Sequence, residues 1–188
     1  KCTLSGASLG SDGALRAIVD ASGDDSGSFQ RIFTRNAPLA AGAPIRLDQA
    51  GLDGAWFAPY ASGQGFTLDY IASAKTLFMP WFTYTADGGN TPGALAWYAL
   101  QGSIDAGATG ADLAIAAADP SSFNAGAVGV HQVGSAHLSF SDCTAGTLSY
   151  RFNADVNAGA SGLISLTRLT PSSNVCVLAN GSTAPAQI

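Results

Sequence analysis

The chain has 188 residues and 18.8 kDa, with 47% hydrophobic residues, 11% charged residues and a formal net charge of −5. The charged share is under half of the usual ~25%, and the only lysines are Lys1 and Lys75, so a helical bundle with charged Glu/Lys faces is excluded. A nucleic-acid binder needs a basic stripe to release counterions; here the arginines are scattered, and the nearest pair, Arg31 and Arg35, follows the acidic Asp24–Asp25.

Residues 1–50 hold short apolar runs and no tryptophan. "ALRAIVDA" (Ala14–Ala21) and "SFQRIFTR" (Ser28–Arg35) each read as one strand, after which Pro38 and Pro44 break the chain. This segment is expected to be an extended N-terminal arm or strand pair. No apolar run reaches the roughly 18 residues of a membrane span, and "KCTLSGASLG" lacks the hydrophobic stretch of a leader.

From Gly51 onward, strands alternate with turn residues at regular intervals. "AWFAP" is ended by Pro59, and "GFTLDYI" alternates Phe66, Leu68 and Tyr70 against Thr67 and Asp69, a period of two. "TLFMPWFTY" follows, its Pro80 implying an edge or a bulge because it lacks a ladder donor. A turn at Asp87–Gly88 joins it to "ALAWYALQG" as a hairpin. "LAIAAA", "AVGVHQVGSAHLSF", "GTLSYRFN" and "GLISLTRLT" complete the set. The fold class is therefore all-β: an antiparallel barrel or sandwich of about eight strands over residues 51–178, with a C-terminal tail at 179–188.

Two motifs invite a chemical reading. The first is the turn Ser62-Gly63-Gln64-Gly65-Phe66 after Trp56. Its glycines are read as supplying positive φ in a hairpin, with Trp56 packed on the barrel floor; no helix follows to make it a dinucleotide loop. The second is the aromatic set. Within "MPWFTY", Trp81 and Thr83 point one way, Phe82 and Tyr84 the other; Trp97 and Tyr98 likewise oppose each other. Exposed aromatics offer rigid stacking faces at low entropic cost, so Trp56, Tyr60, Trp81, Tyr84 and Trp97 are the candidate ligand contacts.

Other chemistries find little support. His131 and His137 would stand about 20 Å apart along one strand, too far to share a metal ion. The chain has no glutamate, and its aspartates sit beside small turn residues, where side chains bond the local backbone. No nucleophile elbow or metal-ligand spacing occurs, so no catalytic residue, metal or cofactor is assigned. An Asp-based hydrolase remains the outside alternative.

The cysteines are Cys2, Cys143 and Cys176. Low lysine, acidic balance and late cysteines suit an oxidising, secreted or cell-surface setting. A Cys143–Cys176 bridge would leave Cys2 odd, bonded between chains or unbonded. Pairing of Cys2 with one of the others, or three buried thiols, stay open as alternatives.

The run Gly54-x-Trp56, Pro59, Ser62-Gly63-Gln64-Gly65-Phe66, then Trp81-Phe82-x-Tyr84 and Asp87-Gly88 resembles a recurrent secreted proteobacterial β-module of no assigned activity. The resemblance covers about residues 51–176 and implies a secreted domain with no catalytic residues to transfer. A fainter likeness, architectural only, is to avidin-like barrels, which also open on Gly-x-Trp. The functional expectation is a secreted, non-enzymatic binding or surface-assembly module. Its expected partners are a second copy, reached by strand addition from the N-terminal arm, or surface glycans. The alternative is a barrel that binds a carbohydrate or small apolar ligand.

Overall fold

The computed structural model describes residues 2–9, 15–22, 28–35, 43–61, 63–86, 93–122, 124 and 126–184. Asp24–Asp25, Pro38, Ser62, the Asp87–Gly88 turn and residues 185–188 of the tail lie outside the described residues. The chain divides into two compact units, residues 1–42 and 43–188.

The first unit contains an antiparallel sheet of β1 (Cys2–Leu9), β2 (Leu15–Ser22) and β3 (Ser28–Arg35), in that order. Two of these are the strands read from the sequence. The third, β1, escapes a period-of-two reading because its register with β2 shifts between Leu4 and Gly6. Such a bulge breaks the alternation by which a strand is recognised.

The second unit is a closed barrel of eight antiparallel strands. They are β4 (Gly54–Phe57), β5 (Gly65–Ile71), β6 (Thr76–Tyr84), β7 (Leu95–Ser103), β8 (Gly110–Ala118), β9 (Val130–Phe140), β10 (Ala145–Phe152) and β11 (Ser161–Arg168). Each pairs with the next, and β11 closes on β4 through Thr167↔Phe57 and Arg168↔Trp56. A short ladder of β12 (Cys176–Val177) and β13 (Thr183–Ala184) follows.

Closure removes the edges that an open sheet must protect, and it corrects the expectation for Pro80. That residue lies in an interior strand with continuous register. The β5–β6 ladder is interrupted between Phe66↔Trp81 and Asp69↔Phe78, the stretch that holds Pro80, which has no N–H to donate. The bulge occurs instead in β9, where Ile115 pairs Gly134 and Ala116 pairs Gln132, leaving Val133 unmatched.

Alternation along each strand sends one set of side chains inward. Leu68, Leu77, Met79, Leu100, Leu113, Ile115, Leu138 and Leu148 form the middle of the core, all nearly inaccessible. Burying each such side chain contributes about 1.5–3 kcal/mol. Four inward aromatics, Trp56, Phe66, Trp81 and Tyr98, are successive register partners across β4–β7. Because barrel strands tilt, this row climbs: Trp56 meets Phe140 at one end, and Trp81 meets Tyr150 and Phe152 near the other.

The two ends are built differently. The lower end, where β4 starts and β11 finishes, is covered by the 3-10 turn Ala50–Leu52 and by buried Ile45 and Leu47. Trp56 Nε1 donates to Leu52 O (3.0 Å), and the Cys143–Cys176 disulfide ties the β9–β10 turn to β12. Asp48 accepts from Arg46 Nε (2.9 Å) and from the Gly107 amide (3.0 Å). The hydrogen bonds from Arg46 hold the Asp48 carboxyl below its ordinary range, outweighing desolvation. A carboxyl with a depressed folded pKa stabilises the fold above its unfolded pKa and loses that contribution as pH falls through the folded value. Asp48→Asn is thus expected to be the less stable chain at neutral pH, with the gap closing on acidification to about pH 2. Urea titrations at both pH values check this.

Candidate functional site

The upper end gathers the ends of β4, β6, β8 and β10, and most exposed large apolar side chains stand on or near it. On the outer face of the β6–β7 hairpin, Phe82 is the direct partner of Trp97, and Tyr84 of Leu95. All are exposed, Trp97 at 55% and Leu95 at 83%. The neighbour of Phe82 on the other side is Gly65, which has no side chain to rise beside the ring. The result is an open apolar platform two strands wide.

Alternation explains why these side chains face solvent. In β6 the inward set is Leu77, Met79, Trp81 and Thr83, and the outward set includes Pro80, Phe82 and Tyr84. A strand with large apolar groups on both faces needs a second covering layer or a partner. Among the described residues no layer covers Phe82 and Trp97.

Of the candidate residues, Trp56 (1% exposed) and Trp81 (3%) lie inside the barrel. Tyr84 and Trp97 are brought together on adjacent strands of the outer face. Tyr60 is 96% exposed in the turn between β4 and β5. Phe82 and Leu95 complete the platform without having been singled out; the signal was their cross-strand register, which depends on the hairpin. Of the two turn glycines only Gly63 has positive φ (82°); Gly65 opens β5. At Gly63 an added Cβ would fall on the Tyr84 hydroxyl, so this glycine keeps the tyrosine in place.

Inside the same mouth is a polar cluster. Thr83 Oγ1 donates to Gln64 Oε1 (2.6 Å), and Asn157 Nδ2 donates to the Tyr98 hydroxyl (2.9 Å). Burial, and then the nearby Asp155, push the Tyr98 hydroxyl pKa above its ordinary value, so it stays protonated. The meeting of these polar groups was not foreseen, because no spacing along the chain relates residues 64, 83, 98 and 157.

The histidines take cross-strand aspartates. His137 Nδ1 lies 2.7 Å from Asp112 Oδ1, and His131 Nδ1 3.0 Å from Asp119 Oδ1, each pair on open surface. Among the described residues no three His, Cys or Asp side chains stand close enough to hold a metal ion. No described helix is long and apolar enough to cross a membrane. No family model, curated protein or solved structure matches the chain, so a functional reading rests on the geometry of this end of the barrel.

Proposed function

We propose that this chain is a secreted, non-enzymatic binding domain whose barrel is a rigid scaffold for the Phe82–Trp97 and Tyr84–Leu95 platform. The observation that carries the reading is the direct pairing of Phe82 with Trp97 on an outer face that nothing described covers. A flat aromatic pair suits the C–H face of a sugar ring, and outward Thr67, two positions along β5 from Gly65, supplies a hydrogen-bonding group at its margin. Surface glycans are therefore the favoured partner. The Cys143–Cys176 bridge fits an oxidising exterior.

Because Trp56 and Trp81 are buried, Trp97 alone among the three tryptophans is open to a collisional quencher. Glycan binding should protect its fluorescence from acrylamide, and Trp97→Ala should weaken binding about tenfold or more. No protection across a panel of bacterial and host polysaccharides would refute the glycan reading. Self-association is the second reading, supported by the outer strands β1 and β3 of the three-stranded sheet, whose outer backbone groups can accept another strand. In that case the same samples should scatter light as a dimer, and removing residues 1–42 should return the monomer.

A further inference from the structure

We propose that the upper mouth of the barrel is a binding site for one neutral sugar ring or a polyol of similar size. The site faces inward: Trp81 and Thr83 of β6 line it, whereas Phe82, Trp97 and Leu95 stay on the outer platform, and Tyr84 borders both.

A hollow of about 220 Å³ lies here, with Gln64, Trp81, Thr83, Tyr150, Phe152 and Asn157 among its lining residues. That volume is below the roughly 300–1,000 Å³ of pockets for drug-sized ligands, so it fits a single ring. No lining residue carries a charge, and an ionised ligand would lose its hydration without a counter-charge. The walls are aromatic: Trp81 stands edge-on to Tyr150 at 5.1 Å and lies 5.8 Å from Phe152. Such walls suit the apolar faces of a sugar.

The hydrogen-bonding inventory agrees. At the lower end the buried polar side chains have partners: Gln49 bonds both backbone groups of Val177, and Arg168 bonds several carbonyls. At the mouth, capacity is left over. Trp81 Nε1 is a buried donor with no partner among the described residues. Gln64 uses its oxygen on Thr83, its two amide hydrogens have no partner among the described residues, and the Thr83 oxygen still has lone pairs to offer. Buried polar groups in native proteins are almost always satisfied, so an orphaned indole N–H on a residue that lines the hollow calls for an acceptor. Sugar hydroxyls, both acceptors and donors, suit each of these three groups.

The test is two-dimensional NMR of the ¹⁵N-labelled full chain, disulfide intact, titrated with methyl glucoside, methyl galactoside, N-acetylglucosamine and inositol. The expected result is a saturable shift of the Trp81 indole N–H with Kd between about 0.1 and 10 mM, the Trp56 indole staying in place. Thr83→Val and Gln64→Leu should each weaken binding about 5–10-fold. Trp97→Ala should leave the mouth titration unchanged, so failure of the glycan platform and failure of this site are told apart. An unmoved Trp81 indole in every titration, or an indole N–H whose only partner is an ordered water exchanging with solvent, would overturn the proposal.

Discussion

An Arg168→Met chain should lose about 3–5 kcal/mol of unfolding free energy, read as a lower urea midpoint at unchanged slope. Arg168 is almost wholly buried at the end of β11. Its guanidinium donates to Gly51 O (2.7 Å), Cys143 O (2.9 Å) and Asp53 O (3.0 Å), and its centre stands 4.6 Å from the Trp56 ring centroid. These acceptors belong to the 3-10 turn and its flank and to the β9–β10 turn, so one side chain holds the barrel floor together. Burial pulls the Arg168 pKa below its ordinary value, while Asp53 works the other way; arginine nonetheless stays charged at any working pH. Methionine would fill much of the volume but leave the buried carbonyls without donors, at about 1–3 kcal/mol each. Lysine should restore only part of the loss, since an ammonium lacks the planar fork that reaches separate carbonyls. A loss below about 1 kcal/mol for Arg168→Met would show that this network is dispensable.

Removing the disulfide should have a comparable effect. The Cys143–Cys176 bridge spans 33 positions of sequence, and both cysteines are buried. Chain entropy for such a loop gives about 3–4 kcal/mol, which a Cys143→Ala/Cys176→Ala chain should lose in equilibrium urea unfolding. Arg168 Nε donates to the carbonyl of Cys143 itself, so the two perturbations share a partner. The triple change should therefore cost less than the sum of the separate losses. Strict additivity would mean that the bridge and the arginine stabilise independent parts of the floor.

The strands were legible in the sequence, whereas the Cys143–Cys176 bridge was one of several open pairings. A period of two in "GFTLDYI" and "TLFMPWFTY" reflects one buried and one open face, and it assigned Trp81 and Thr83 to the side opposite Phe82 and Tyr84. What periodicity cannot say is which of those sides is the inside. With aromatics on both, as in β6 and again at Trp97 and Tyr98, either assignment satisfies the pattern. Pro80 shows the same limit: its missing donor demanded a gap in a ladder, and only the register of β5 against β6 revealed that the gap lies within a closed barrel.

By itself, then, the sequence determined an all-β chain, the strand positions of the barrel and the opposed faces of its aromatic strands, because these are local consequences of side-chain alternation and turn chemistry. The tertiary structure decided between barrel and sandwich by pairing β11 with β4. It also put Trp56 and Trp81 inside and Trp97 outside, and chose Cys143 with Cys176. Above all it assembled Gln64, Thr83, Tyr98 and Asn157 at one mouth. Those residues meet only because antiparallel strands bring every second connection to the same end, and that is a property of pairing across the barrel rather than of any stretch along the chain.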